Sequence, residues 1–332
     1  MPLLQPTDRG LWCERGDFYI DPVRVVDRAV ITHGHSDHAR KGMRSYLTHE
    51  HGVELLKYRL GEHITVQGAA YGEVVTINGV RVSLHPSGHV RGAAQVRIEH
   101  AGEVWVVSGD YKREPDPCTP DFEVVRCHTF ITESTFGLPV YVWPHPDLVV
   151  AEINAWWKRH ADDGIPCALL VYPLGKGQRL PALLDHSIGP IVVSEAIRKT
   201  TESVYGLRFA VDGEHARLRH PGEGRDPVGD MNRALHLTSS SQFTIPDTTS
   251  TDNRKPQTAN RQPTSISGWN ATRNLRSWSG FVMSDHADWP GLLRTVRETE
   301  AEHVLTYHGF AAELATQLRA MGIDAKPLDE AA

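Results

Sequence analysis

The sequence predicts a mixed α/β protein on three observations. Its first third is a series of short β-branched and aromatic runs, its middle alternates apolar runs with amphipathic ones, and its end returns in a helix, strand, helix order. In the first third, "FYI" (Phe18–Ile20), "RAVIT" (Arg28–Thr32), "EVVTI" (Glu73–Ile77), "VRVSLH" (Val80–His85), "QVRIE" (Gln95–Glu99) and "EVWVVS" (Glu103–Ser108) read as strands. "ING" and "EHAG" between consecutive runs read as hairpin-like turns. "PDLVVAEINAWWKRH" (Pro146–His160) then sets Val149, Ile153, Trp156 and Trp157 on one helical stripe, with Pro146 where a first turn tolerates it. "CALLVY" (Cys167–Tyr172) and "PIVV" (Pro190–Val193) alternate with "GQRLPALLD" and "SEAIRKTTESVYG", the rhythm of a small parallel α/β unit. Pro181 predicts that the first of these helices begins late or bends. From about Glu214 to Arg276 periodicity stops in a Ser/Thr-rich tract that predicts an irregular or disordered insertion. Order resumes with "GFVMSDHADW", a helix from about Trp289 to Glu300, the strand "EHVLTYHG" and a helix "AAELATQLRAMG" ending at Gly322.

A formal net charge of -6 lacks the basic signature of a chain that binds nucleic acid over its whole surface, so any such binding has to come from a local patch. Four cysteines without a CxxC pair argue against a disulfide framework or a thiolate zinc site and fit a reducing cytoplasm. The opening "MPLLQPTDRG" shows no signal pattern, and no apolar run approaches the roughly 20 residues that span a bilayer. The expected location is therefore cytoplasmic, with no membrane partner. The 19 histidines are a high count that suits metal chemistry without locating it.

The stretch "THGHSDH" locates it. His33 and His35, two apart, lie on one side of an extended segment; Asp37 and His38 follow a turn, so the four side chains can serve two metals a few Å apart. The competing reading is a polar loop of solvated histidines. Four ligands cannot close two sites, and the remaining candidates stand where strands end. His89 follows "VRVSLHP" between Gly88 and Gly92, Asp110 follows "VWVVSG" where a carboxylate can bridge two cations, and His308 ends "HVLTYH". Singly, each is more often a turn or surface residue; together they complete a set of seven ligands.

The order HxHxDH, His, Asp, His resembles that of the metallo-β-lactamase superfamily, whose fold is an αββα sandwich with metals at one edge. "SGHVRGAAQVRI" with "SGDYKRE" is similar to the polyadenylation-factor endonucleases. "ITESTFG", with Glu133, and "FVMSDHADW", with His286, resemble blocks of the β-CASP branch, which acts on nucleic acids and inserts an α/β cap between them. "GDFYIDPVRVVDRAVITHGHSDHAR", "PLGKGQRL" and "GFVMSDHADWPGLL" are most similar to the bacterial DNA-ligase-associated exonucleases, also called mRNA 3′-end processing factor-like proteins. The resemblance runs over about Leu11–Tyr205 and Gly280–Gly322. It implies a metallo-β-lactamase domain over 1–135 and 280–332 and a β-CASP-like cap over 136–279, with 214–276 as its irregular part.

Carried onto this chain, the resemblance assigns His33, His35 and His89 to one metal, Asp37, His38 and His308 to the other, and Asp110 between them. Asp21, ending "FYID", would orient the ligand loop through hydrogen bonds; the alternative is an aspartate starting a turn before Pro22. The implied mechanism uses two divalent ions about 4 Å apart, zinc or else manganese, whose shared water attacks phosphorus. Asp37 belongs to that catalytic set. His286, oriented by Glu133, would protonate the departing oxygen, with Asp285 or Asp288 as alternative partners. Lys176 and Arg179, opening a helix in "GKGQR", would contact phosphate, or else form a solvated helix face. Trp143 could stack on bases, whereas Trp156 and Trp157 fit the core stripe better.

The expected function is a metal-dependent DNA exonuclease in ligase-associated repair, with an ATP-dependent DNA ligase and a helicase as partners by resemblance. Its rival is an RNA-processing nuclease of the same branch, since nothing in the ligand set senses a 2′-hydroxyl. Small-molecule hydrolysis shares the metals but has no need of Glu133, His286 or a cap. An inactive scaffold is the remaining alternative.

Overall fold

Short strands with alternating apolar side chains build most of the structure, a computed structural model that describes residues 2–206, 208–209, 218–219, 231–239, 264–271 and 280–331. The chain divides into two compact units, Met1–Val142 with Asp285–Ala332, and Trp143–Ser284. The sequence predicts these breaks at 135/136 and 279/280.

The first unit opens with β1 (Gln5–Thr7), β2 (Gly10–Cys13), β3 (Phe18–Ile20), β4 (Arg28–Val30), β5 (Ser45–His49), α1 (Val53–Leu60) and β6 (Val66–Ala69). These strands form a six-stranded sheet in chain order, antiparallel from β1 to β3 and parallel from β3 to β6. Next come β7 (Val74–Ile77), β8 (Val80–Pro86), β9 (Ala94–His100), β10 (Glu103–Val107) and β11 (Thr129–Glu133). Asn78 (φ 47°) and Gly79 (φ 82°) join β7 to β8, and Ala101 (φ 52°) and Gly102 (φ 87°) join β9 to β10. Two consecutive left-handed residues are what a type I′ hairpin turn requires, so "ING" and "EHAG" turn as expected.

In the second unit, α2 (Pro146–Asp162), β12 (Cys167–Leu170), α3 (Lys176–Leu183), β13 (Ile191–Val193) and α4 (Glu195–Tyr205) follow in the expected alternation. Val149, Ile153 and Trp157 of α2 are buried in its core, while Trp156 only packs against that core. α3 does not begin late: it starts at Lys176 and stops two residues after Pro181. Beyond β14 (Arg208–Phe209) and β15 (Leu218–Arg219), the chain forms β16 (Leu235–Thr238), β17 (Thr264–Ile266) and β18 (Gly280–Phe281). The sheet is wholly parallel, in the order β13-β16-β12-β17-β18.

Within the range 214–276 that the sequence predicts as irregular, the described residues include β15, β16 and β17. β16 lies inside that range yet sits between β12 and β13, with all four of its residues buried. A strand buried on both faces carries no alternation, and one this short leaves no pattern for a sequence window to find. The rest of 214–276, other than 218–219, 231–239 and 264–271, lies outside the described residues.

The chain returns to the first unit with α5 (Trp289–Glu298), β19 (His303–Tyr307), α6 (Ala311–Ala320) and β20 (Asp324–Pro327). The second sheet of that unit runs β20-β19-β11-β10-β9-β8-β7, antiparallel from β7 to β10 and parallel from β10 to β20. Alternation places the layers. Val30, Trp105 and Val107 enter a core shared by both sheets, while Ala29 packs with Leu56 and Leu60 of α1, and Val106 with Leu292 of α5 and Leu314 and Leu318 of α6. Two face-to-face sheets with helices outside each make the unit an αββα sandwich, and the chain as a whole is α/β. No disulfide joins the cysteines, and among the described residues no helix is long and apolar enough to cross a membrane.

Candidate metal centre

The C-terminal ends of β4, β10, β11 and β19 meet at one edge of the first unit, and the loop from β8 to β9 joins them there. The predicted ligands leave from those ends. Backbone geometry at the entrance is held by Asp21, which accepts from Thr32 N–H at 2.8 Å, Thr32 Oγ1–H at 2.5 Å and His38 Nδ1–H at 2.7 Å. The aspartate that the sequence also allowed to be a simple turn residue is thus bonded to the ligand loop. Thr32 Oγ1 also lies 3.1 Å from His33 Nδ1 and accepts its proton. His89 Nδ1–H donates to the carbonyl of Asp285 at 2.6 Å. In His33 and His89 these bonds commit the outward nitrogen of the ring as donor and leave the Nε2 lone pair facing inward.

Inside, His33 Nε2 and His89 Nε2 each lie 3.1 Å from His35 Nδ1. Asp110 stands among them, its Oδ2 3.4 Å from His33 Nε2 and 3.6 Å from His89 Nε2, its Oδ1 3.4 Å from His38 Nε2. Ligand atoms of His33, His35, His89 and Asp110 all fall within 4.8 Å of one another. Burial, foremost, holds His33 and His89 well below the ordinary histidine pKa, so they are neutral bases. Converging lone pairs on neutral imidazoles repel unless a cation lies between them, and nitrogen and carboxylate donors in this number suit a divalent metal. The cluster can bind metal.

The second predicted set is looser. Burial opposes a charge on His38, but Asp110 and Asp21 overcome it and hold its pKa well above normal. His38 Nε2 is 3.8 Å from Asp37 Oδ2, and the His38 and His308 ring centroids are 5.6 Å apart. The Asp37 side chain is 69% exposed. His308, at φ 61°, is exposed as well. These two residues border the cluster without joining its compact group.

Glu133 and His286 meet beside it. His286 Nδ1–H donates to Glu133 Oε2 at 2.8 Å, and Tyr111 N–H donates to Glu133 Oε1 at 2.7 Å, which fixes the buried carboxylate from both sides. His286 Nε2 points toward the cluster, 3.9 Å from Asp110 Oδ2. Burial opposes its charge, yet Glu133 and Asp110 raise its pKa to about 9. The alternative partners have other contacts: Asp288 caps α5 by accepting from Gly291 N–H, and Asp285 presents its carbonyl to His89.

In the second unit, Lys176 and Arg179 are buried, which excludes a solvated helix face. Lys176 Nζ lies 5.4 Å from the Tyr172 ring centroid, and Arg179 Nη1 donates to the Ser284 carbonyl at 3.1 Å. Several supporting groups escaped the sequence reading: the Thr32 hydroxyl, the Asp285 carbonyl, and Arg59 of α1, whose Nη1 donates to the carbonyl of Gly34 between two ligands. The threonine beside the motif was the one available signal, and it is indistinguishable there from strand propensity.

No protein-family model matches the chain. It is 29% identical over 351 residues to a probable DNA ligase from Opitutus terrae, covering 99% of this chain and 31% of that protein. It is 32% identical over 130 residues to the endoribonuclease ysh-1 of Neurospora crassa, covering 37% of this chain and 15% of that one. It is 27% identical over 243 residues to the cleavage and polyadenylation specificity factor subunit 3 of Dictyostelium discoideum, covering 58% and 30%. The chain spans less than a third of the length of these curated relatives. In fold it is similar to a crystal structure of a protein of unknown function from Enterococcus faecalis, with a TM-score of 0.57 at 12% identity, covering 86% of this chain and 76% of that one. The αββα sandwich, the ligand order along its edge and these relatives together point to the β-CASP branch of the metallo-β-lactamase family.

Proposed function

We propose that this chain is a metal-dependent nuclease that hydrolyses phosphodiester bonds, acting as a DNA exonuclease in ligase-associated repair in the cytoplasm. One observation carries the reading: buried Glu133 and half-buried His286 form an oriented carboxylate–imidazole pair whose Nε2 faces Asp110 at the metal cluster. A hydrolase that expels a good leaving group has little use for such a pair; one that expels a sugar oxygen needs a proton delivered to it.

His33, His35 and His89 would hold one divalent ion and Asp37, His38 and His308 the other, with Asp110 between, zinc being favoured over manganese by the nitrogen donors. Bound there, such ions make water a competent nucleophile near neutral pH and offset charge on the phosphate. The protein's own part is geometric. Asp21, Thr32 and the Asp285 carbonyl keep three rings turned inward, and His286 delivers its Nε2 proton to the departing oxygen while Glu133 holds the ring. Lys176 and Arg179, at the start of α3 beyond the C-terminal end of a parallel strand, would hold strand phosphates in the second unit.

DNA is favoured because nearly the whole chain aligns with a protein named as a probable DNA ligase, which supports a ligase partner, with a helicase by the sequence resemblance. The relatives named as endoribonucleases support the second reading, RNA cleavage. End-labelled single-stranded DNA and RNA, incubated side by side with zinc- or manganese-loaded protein, decide between them. Shortening of DNA alone supports the proposal, RNA cleavage alone transfers it to the second reading, and hydrolysis of neither sinks both.

A further inference from the structure

The turn after β5 repeats the spacing of the metal loop. Thr48 and His49, the last residues of β5, with Glu50 and His51 just beyond it, repeat the T-H-x-H spacing of Thr32, His33, Gly34 and His35 beyond β4, and the two strands are parallel neighbours. This second turn is not a metal cluster, for no compact group of ligand atoms among the described residues includes it. His49 is buried, its ring centroid stacked 3.6 Å from that of Tyr71, and its Nδ1 accepts from His51 N–H at 3.2 Å.

What the turn holds is an arginine. Arg91 stands two residues beyond the ligand His89, so its Cα lies within about 7 Å of that ligand's. Its Nη2 is 3.4 Å from His51 Nε2. The loop that carries both residues is pinned at several points. Gly92 has φ +78°, and a Cβ there would lie 2.9 Å from Gly52 N. Tyr71 OH donates to the Ala93 carbonyl at 2.9 Å, and Ala94 N–H donates to the Thr32 carbonyl at 2.8 Å. One short loop therefore delivers His89 into the metal cluster and carries half-buried Arg91 two residues further on, with Val90 buried between them. A guanidinium fork matches a phosphate in shape and charge. In a chain of net charge -6, a nucleic-acid strand has to be held at such local points. Glu50, exposed and 4.0 Å from His51 Nε2, is the nearby carboxylate that such an anion would have to accommodate.

We propose that Arg91, positioned by His51, binds the backbone phosphate next to the one being cleaved, on the His35 and His89 side of the metal cluster. This rests on the nuclease reading above. The test measures binding of fluorescein-labelled single-stranded DNA in chelator by anisotropy, and KM and kcat on the same DNA with metal, for wild type, Arg91→Ala, Arg91→Lys, His51→Ala and His51→Gln. Arg91→Ala is expected to weaken binding about tenfold, raise KM far more than it lowers kcat, and flatten the dependence of log Kd on log salt by about 0.7. Arg91→Lys keeps the charge and restores part of the loss. His51→Ala gives a smaller rise in KM that His51→Gln, whose oxygen can accept from Arg91, restores. A wild type that binds and cuts DNA while Arg91→Ala matches it overturns the subsite and leaves the nuclease reading standing. Equal losses for Arg91→Ala on DNA and on bis(p-nitrophenyl) phosphate, which has no second backbone phosphate, also overturn the subsite. A wild type that neither binds nor cuts nucleic acid overturns both.

Discussion

Replacing His286 by alanine and Glu133 by glutamine separates proton delivery from metal binding. His286 reaches the cluster only through Nε2, 3.9 Å from Asp110, and its other nitrogen is given to Glu133 at 2.8 Å. Removing a positioned general acid costs about 10²- to 10⁴-fold in rate. Glu133→Gln keeps an oxygen acceptor for the Nδ1 proton but loses its charge, and a hydrogen bond to a charged group contributes about 1.5–3 kcal/mol. That corresponds to a fall of order 10- to 150-fold in kcat, smaller than for His286→Ala. The assay compares two leaving groups: DNA, whose sugar oxygen needs a proton, and bis(p-nitrophenyl) phosphate, whose nitrophenolate leaves with little help. Both variants should lose far more on DNA than on the aryl ester while retaining metal. Equal losses on both substrates, or loss of metal from either variant, would refute the assignment of His286 as the acid and Glu133 as its orienting partner.

Other outcomes follow from the same geometry. Asp21→Asn weakens the bonds that aim Thr32 and His38, so metal affinity, measured by competition with a chelating dye, should fall about 10- to 100-fold while the fold is retained. Zinc at about 100 times its dissociation constant should stabilise the chain by about 2.7 kcal/mol, read as a higher melting temperature that chelator reverses; an unchanged melting temperature contradicts a folded-state metal site. Burial foremost, then His51 and Arg91, lowers the His49 pKa to about 4, so its protonation opposes folding. That contribution is complete above the ordinary histidine value of about 6.5 and is lost as pH falls toward 4, so His49→Gln should melt less steeply with acid than wild type across that window. Trp157→Ala, in the core of the second unit, should cost about 3–5 kcal/mol in denaturant unfolding, and a value below 1 would show that α2 is not packed as described.

The candidate ligands were legible because they combine a restrictive local pattern with strand ends. His33, His35 and His38 follow an apolar run directly, and Asp110 and His308 each follow another, while the αββα edge that collects them was implied by the family resemblance. The hairpin between β7 and β8 was legible for a similar reason, since Asn-Gly tolerates two left-handed residues in succession. β16 was not legible: "LHLT" is a short central strand between β12 and β13, and Leu235 and Leu237 are buried in a core with residues of α2 and α3 that its own pattern does not announce. Nor was the support of the site. The Asp285 carbonyl that turns His89 inward is a backbone group with no residue signature, and Arg59 reaches Gly34 from a helix whose exposed face looks ordinary in sequence. Asp37 shows the converse, a residue fully specified by the motif that lies at the border of the cluster, mostly exposed.

The most direct test of the metal nuclease account is the fate of end-labelled single-stranded DNA with metal-loaded wild type and with the Asp37→Ala, His38→Ala double variant. The account predicts metal-dependent shortening by wild type, abolished by chelator, and no shortening by the double variant even though it folds. Full cleavage by the double variant would contradict it, because the site built around His38 and Asp110 would then not be where the bond is cut.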